Sequence, residues 1–514
     1  MAGISVSKIS LMVWFVVFIG VKTASVTNDK EKVIFILADG LRWDRFGQAL
    51  PNFIKMEENG VSSSAGSCFF IVGSEMAGIS VSKISLMVWF VVFIGVKTAS
   101  VTNDKEKVIF ILADGLRWDR FGQALPNFIK MEENGVKADW LNGVFMTMTI
   151  PSTFSIATGL YPESHGAVHN LFFNATSGEK SPSFMATMNY TEWFDTGAEP
   201  IWVTTILQGG KAGTILYTGS NVPIKGVQPT KNIPINLSGS CFGLPMGDRI
   251  DTALSWMTDE DFDIVVIYFN LPDFNLHSYG TEDQRTFDTL HEVDDAIGYL
   301  FDRIDEEGLT DIVNVIIASD HGHINSEVGK HVLLYDYINS SDVEFIVADY
   351  GPCFQLNPVD GKQDEVYTTL KSAHPALTVY KKEELPERYH YGNNERVLDI
   401  FGCVDPGWHL HTTIQGNDTF LISDHGYDNK WMVMKSSFYA QGPHFKKNHR
   451  ATPFESVDIY SMICEILSLH PAPNNGSRER YEAIFAITGA ANRSVSATVP
   501  ICVFLFITSM SLFM

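Results

Sequence analysis

Three short stretches in the C-terminal two-thirds of the chain put carboxylates and imidazoles where cations could be held. They are Pro272-Asp273-x-x-x-His277, Ser319-Asp320-His321-Gly322 and Asp424-His425-Gly426-Tyr427-Asp428-Asn429. Asp and His ligands without thiolates suit Zn²⁺, with Mn²⁺ or another first-row ion as the alternative. Asp273, His277 and His425 are assigned to one cation. Asp320 and His321 are assigned to a second, together with Asp114 at the end of an earlier apolar run. Each set leaves positions open, and two ions roughly 4 Å apart can clamp the attacking and leaving oxygens of an in-line phosphoryl displacement.

That chemistry needs a nucleophile, and Thr149 is the candidate. A free hydroxyl is a poor nucleophile at neutral pH; a cation on its oxygen would lower its pKa. Thr149-Ile150-Pro151 opens a helical segment expected over 152–160, with Pro151 at its first position. A nucleophile at a helix N-terminus has backbone N–H groups aimed at an anionic phosphate. Asn170 can donate its amide to the same phosphoryl oxygen as charge develops. Alone, Thr149 reads as a helix cap and Asp114-Gly115 as a turn. The paired Asp-His-Gly motifs with Asp-x-x-x-His are what lift both above that reading.

These side chains need strands to carry them. Residues 107–113, 263–269 and 313–318 are short runs rich in β-branched residues, typical of buried parallel strands. The ligands follow their C-terminal ends, where an open α/β sheet places its site. Between 282 and 308, Phe287, Leu290, Val293, Ile297, Leu300, Phe301 and Ile304 trace one helical face. Alternating strand and helix signals predict a doubly wound α/β domain with helices on both faces. Residues from about 330 to 415 lack metal motifs and are expected to form a small inserted lobe beside the sheet.

The start of the chain repeats itself. Met1–Val61 recurs unchanged as Met76–Val136. Each copy carries a basic residue (Lys8 or Lys83), an apolar stretch (Leu11–Val21 or Leu86–Val96) and Thr-Ala-Ser, as a secretory signal does, with cleavage near Ala24 or Ala99. Residues 1–75 are read as an exon duplication or gene-model fusion, 76–100 as the signal, 101–489 as the catalytic domain, and 490–514 as a GPI-anchor signal or hydrophobic anchor. Asp39 repeats the local motif of Asp114, but only the second copy runs on into Thr149.

Of 514 residues, 60 are Asp or Glu against 37 Lys or Arg, a net charge of −23, which argues against nucleic-acid polymers as partners. Seven Asn-x-Ser/Thr sequons, at Asn174, Asn189, Asn236, Asn339, Asn417, Asn475 and Asn492, fit an N-glycosylated extracellular chain. Cys68 lies in the repeated start and Cys502 in the apolar tail. Cys241, Cys353, Cys403 and Cys464 remain, with three possible pairings and Cys464 equally placed to be free. Oligomeric state is open.

Taken together, Leu112-Ala113-Asp114-Gly115, Thr149-Ile150-Pro151, Thr158–Gly166, Pro272-Asp273, Ser319–Gly322 and Asp424–Asn429 resemble the ectonucleotide pyrophosphatase/phosphodiesterase family of the alkaline phosphatase superfamily. The likeness runs in order from about 107 to 480 and is nearest the short members four to six. It implies an alkaline-phosphatase-like fold and a two-zinc phosphodiesterase working through a phospho-threonine. Asp114, Thr149, Asp320 and His321 would hold one zinc, Asp273, His277 and His425 the other, and Asn170 would bind phosphate. The departures fall around the substrate. Ile150 stands where many nucleotide-cleaving members have an aromatic residue, and Leu216–Asn221 replaces the usual Trp-Pro-Gly-Ser-Asp. Trp202, Tyr217 and Tyr427, with Trp193, are candidates to box a quaternary ammonium, as in the choline-phosphodiester branch.

The expected function is hydrolysis of small phosphodiesters or pyrophosphates, of nucleotides or choline, at a membrane-anchored extracellular enzyme. The alternatives are a phosphomonoesterase of the superfamily and a catalytically silent surface recognition module.

Overall fold

Lys107–Ala113 forms strand β1, and all seven residues are buried. Successive strand residues point to opposite faces, so a strand buried throughout has both faces covered. The computed structural model describes residues 105–235, 243–413 and 421–486. The duplicated start, both signal segments, Cys68, Cys241, Cys502, Asn236, Asn417, Asn492 and the C-terminal anchor signal lie outside the described residues. Among the described residues, no helix is long and apolar enough to cross a membrane.

Beside β1 the main sheet contains β2 (Val136–Ala138), β3 (Ala212–Ile215), β4 (Lys231–Ile233), β5 (Ile264–Phe269), β6 (Val313–Ala318), β7 (Phe438–Gln441) and β8 (His449–Ala451). Their spatial order is β8-β2-β7-β6-β1-β5-β3-β4. Every neighbouring pair is parallel except those made by β7, which runs against both β6 and β2. This is the mostly parallel α/β sheet expected. The apolar runs at 263–269 and 313–318 become β5 and β6, which flank β1 on either side.

Four helices matter for the site and its support: α1 (Pro126–Asn134), α2 (Thr149–Thr158), α3 (Asp273–Tyr279) and α4 (Gln284–Glu306). On α4, Leu290, Val293, Ile297, Leu300 and Ile304 are buried, each contributing about 1.5–3 kcal/mol by leaving water. Asp294 lies on the same face, fully buried, and accepts the N–H groups of Asn127 and Phe128 at 3.0 and 2.8 Å. It thereby caps the first turn of α1, whose own cap residue, Leu125, offers no side-chain acceptor.

The inserted lobe is a four-stranded antiparallel sheet in the order Val343–Val347, Cys353–Pro358, Ile400–Val404, Leu377–Lys381. It has its own small core around Phe354, Leu356, Val366 and Leu370. Cys353 and Cys403 lie opposite each other in this sheet and are disulfide-bonded, whereas Cys464 is buried and free. One helix expectation is refined rather than kept: the helix at the candidate nucleophile starts at Thr149, not at 152. Pro151 is tolerated at its third position because the first-turn N–H groups have no intrahelical acceptor to lose.

Candidate active site

The adjacent parallel strands β5, β1 and β6 end side by side, and each delivers a carboxylate. Asp114 follows β1, Asp320 follows β6 after Ser319, and Asp273 follows β5 as the first residue of α3. His277 sits one turn further along α3, so both side chains share a face. His425 arrives on Ser423–Asp424, a short strand that pairs antiparallel with Ile324–Asn325. Gly115 makes the crowding possible. Its φ is +71°, and a Cβ there would lie 3.0 Å from the Asp273 Cβ and 3.1 Å from the His323 ring.

Two clusters result. In one, His277 Nε2 and His425 Nε2 stand 3.4 and 3.6 Å from Asp273 Oδ1. In the other, His321 Nε2 is 3.3 Å from both Asp114 Oδ1 and Asp320 Oδ2. The His321 and His425 rings stack with centroids 3.5 Å apart, so the clusters share a wall. Donors each about 2.0–2.1 Å from one tetrahedral ion lie about 3.3 Å from one another, so these spacings are those of ligand sets. The tautomers agree. His277 Nδ1 donates to the Ser423 carbonyl and His425 Nδ1 to the Thr147 carbonyl, both at 2.9 Å, and His321 Nδ1 to the Gly322 carbonyl at 3.2 Å. In each ring Nε2 keeps its lone pair for a cation.

Asp114 Oδ1 and Asp320 Oδ2 are buried with no hydrogen-bond partner, which a bound cation would remedy. Without one, the carboxylates crowd each other. Burial pushes the Asp114 carboxyl well above its usual range, helped by Asp273 and Asp320. Burial lifts Asp320 to about 7. For Asp273 burial also works upward, but His277, His323 and His425 outweigh it and hold the carboxylate well below its usual range. Burial lowers His321 to about 3 and His425 well below its ordinary value. Neutral imidazoles beside carboxylates are the protonation state that metal ligation needs.

Thr149 opens α2, 4% exposed, with its Oγ1 3.4 Å from His321 Nε2. It therefore lies beside the Asp114–Asp320–His321 cluster. Asn170 accepts the Ile150 N–H on Oδ1 at 2.7 Å. Its carbonyl oxygen is thus committed, and the amide N–H₂ is the end left for a phosphoryl oxygen.

The structure corrects the aromatic cage. Trp202, Tyr217 and Tyr427 are each 0% exposed. The Tyr217 hydroxyl donates to the Thr153 carbonyl and that of Tyr427 to the Trp408 carbonyl. Trp202 and Tyr217 pack edge to face in the main core, while Tyr427 belongs to the lobe's core. Trp193 is likewise buried, its indole N–H on the His169 carbonyl. The rings are packed as core, and Tyr427 belongs to a different cluster from the other three. Aromatic residues give the same sequence signal in either role.

Sequence reasoning missed three residues. His323, two positions past His321, joins the Asp273–His277–His425 group. Tyr268, in β5, donates its hydroxyl to Asp114 Oδ2 and leaves Oδ1 facing His321. Tyr350 lies beside the His169 ring, centroids 5.7 Å apart, and near Asn170. His323 was findable as the last residue of Asp-His-Gly-His; the other two carried no local signal.

The sequence profile described as "Type I phosphodiesterase / nucleotide pyrophosphatase" matches residues 108–428. Human ectonucleotide pyrophosphatase/phosphodiesterase family member 7 is 40% identical over 381 residues, covering 73% of this chain and 82% of that protein. A human bis(5′-adenosyl)-triphosphatase is 32% identical over 391 residues, covering 74% and 83%. Among solved structures, murine family member 5, an inactive variant in complex with AMP, aligns with a TM-score of 0.69 at 33% identity. That alignment covers 74% of this chain and 100% of the murine one.

Proposed function

Since the chain belongs to the type I phosphodiesterase/nucleotide pyrophosphatase family and is a hydrolase of that family, we propose that it cleaves small phosphodiesters or pyrophosphates through a phospho-threonine on Thr149. The observation that carries this reading is the position of Thr149 Oγ1. It lies 3.4 Å from a ligand nitrogen of one cluster, at a helix N-terminus, beside an amide held in place by Ile150 N–H. Two divalent cations, zinc by the donor set, would lower the hydroxyl's pKa and neutralise charge on the phosphoryl group when bound.

In the first step Thr149 Oγ1 attacks phosphorus in line, the Oγ1–P bond forms, the P–O bond to the leaving group breaks with its electron pair on the leaving oxygen, and the hydroxyl proton passes through solvent to that oxygen. The Asn170 amide N–H₂ donates to a phosphoryl oxygen, and the first-turn N–H groups of α2 favour its negative charge. In the second step water attacks phosphorus from the opposite side, the Oγ1–P bond breaks, and a phosphomonoester leaves with the threonine hydroxyl restored. Tyr268 and the neighbouring strands keep Asp114 facing His321 throughout.

Nucleotides are the first substrate class, supported by the relatives' names and by the AMP bound to murine member 5. A second class, diesters with an apolar or choline-bearing substituent, is favoured by one observation. Phe274, between the ligands Asp273 and His277, is 60% exposed, and Ile422, whose N–H donates to the His277 carbonyl, is 50% exposed. Such a rim suits an apolar substituent. A silent recognition module is disfavoured by the complete ligand set, and a phosphomonoesterase by a threonine, rather than a serine, at the nucleophile position.

Turnover of p-nitrophenyl-TMP, p-nitrophenylphosphorylcholine and p-nitrophenyl phosphate, with and without chelator, tests the reading. One diester turned over and stopped by chelator is the expected result. Chelator-resistant turnover, or a zinc-loaded protein inert to both diesters, would sink it.

A further inference from the structure

Within the first cluster one contact is set apart by its length. His277 and His425 approach Asp273 Oδ1 at 3.4 and 3.6 Å, the spacing of ligands around a shared ion. His323 Nε2 lies 2.6 Å from the same oxygen. That is too short for two ligand atoms on one tetrahedral ion and is the length of a hydrogen bond to a carboxylate. The carboxylate accepts, so the proton is on Nε2 and the ring's Nδ1 must itself accept.

The group facing Nδ1 is the Ser423 hydroxyl, at 2.9 Å. That hydroxyl also lies 2.9 Å from the Leu276 carbonyl, but the carbonyl already receives the Gly280 N–H at 2.8 Å. A carbonyl oxygen can accept both, but with the ring's one proton on Nε2 the His323 Nδ1 can only accept, and the Ser423 hydroxyl is the donor that faces it. The Ser423 carbonyl meanwhile accepts Nδ1–H of His277 at 2.9 Å. His323 and Ser423 are both 0% exposed, and Gly115 leaves just enough room for the His323 ring.

We propose that Ser423 and His323 are positioning residues for the first cation. The Ser423 O–H holds His323 Nδ1, His323 Nε2–H holds Asp273 Oδ1, and the Ser423 carbonyl aims His277. One serine thus orients two of the site's side chains, and His323 acts through Asp273 without binding the cation. The inference rests on the metal-centre reading above.

Zinc affinity, measured by competition with a chromophoric chelator, separates the possibilities in the full chain. His323→Ala is expected to weaken one of two tight zinc equivalents by about 10–100-fold. His323→Gln, whose amide N–H can replace Nε2–H, is expected to recover most of that loss. Ser423→Ala should weaken the same equivalent, and the double variant should be no worse than His323→Ala alone, because the two act in series. Asp320→Asn, as a control, should disturb the other equivalent. Melting of the metal-free variants shows whether each is folded.

Unchanged zinc affinity in folded His323→Ala overturns the proposal. So does a folded His323→Gln as weak as His323→Ala, since the ring would then serve as a ligand. An unsubstituted protein that binds no zinc overturns the metal reading itself, and that failure is visible before any variant is made.

Discussion

Thr149 Oγ1 lies 3.4 Å from His321 Nε2, so on the proposed reading its reactivity depends on the adjacent carboxylate–histidine cluster. Thr149→Ala should lower diester turnover by on the order of 10³-fold or more while leaving zinc stoichiometry unchanged, checked by steady-state kinetics and metal analysis. The same cluster sets a pH dependence. Asp320, pushed up to about 7 by burial, is raised above its ordinary range, as is Asp114. Carboxyls raised in the folded state contribute stability that is present at low pH and lost as pH rises through the folded pKa. In the metal-free protein this contribution fades between roughly pH 4 and 7. A bound cation reverses the preference by favouring the carboxylates. The rise in melting temperature produced by zinc over chelator should therefore be larger at pH 8 than at pH 5. An equal or smaller rise at pH 8 would mean these carboxyls do not titrate with the metal. At this scale the clustered Asp and His residues were legible because two Asp-His-Gly motifs and an Asp-x-x-x-His occur together after strand-like runs. The aromatic residues were not, since Trp202 and Tyr217 look alike in sequence whether they line a pocket or fill a core.

At the scale of elements, strand ends and their turns decide whether the ligands meet. Gly115→Ala should reduce zinc affinity and activity together, because the new Cβ would meet Asp273 and His323 at a φ that L side chains rarely adopt. Wild-type affinity in that variant would show that the β1 turn yields without disturbing the ligands. Strands β1, β5 and β6 could be read from their unbroken β-branched runs, and α4 from its apolar stripe. The start of α2 could not: Pro151 suggested a first helical position, yet the segment packs from Thr149 onward with every residue buried. Tertiary packing set that boundary. The inserted lobe was legible mainly as a stretch without ligands, and its disulfide was one of three possible pairings. Cys353 and Cys403 close a loop 50 residues apart in sequence. In the chain-entropy model such a link contributes about 4 kcal/mol, with measured values more often about 2–4. Cys353→Ser with Cys403→Ser should lower the melting temperature of the lobe, read by proteolysis between 343 and 404, before it affects the metal clusters.

Across the described residues, the candidate ligands gather at one end of the parallel strands. The four sequons within the described residues, Asn174, Asn189, Asn339 and Asn475, are all exposed, as attachment of glycans requires. Their placement supports the proposal that the chain traverses the secretory pathway and is N-glycosylated at the extracellular face of the membrane. Two measurements test this in a secreting cell. Removal of N-glycans from the full-length product should shift its mass, and Asn→Gln at all four positions should remove most of that shift. If the segment after about 489 directs a GPI anchor, phosphatidylinositol-specific phospholipase C should release the active enzyme from the cell surface with its zinc-dependent turnover intact. Retention on the membrane after that treatment, with turnover at the surface, would assign the apolar tail to a spanning helix instead. A product without glycans that stays inside the cell would remove the extracellular assignment altogether, while leaving the metal site and its chemistry to stand on their own geometry.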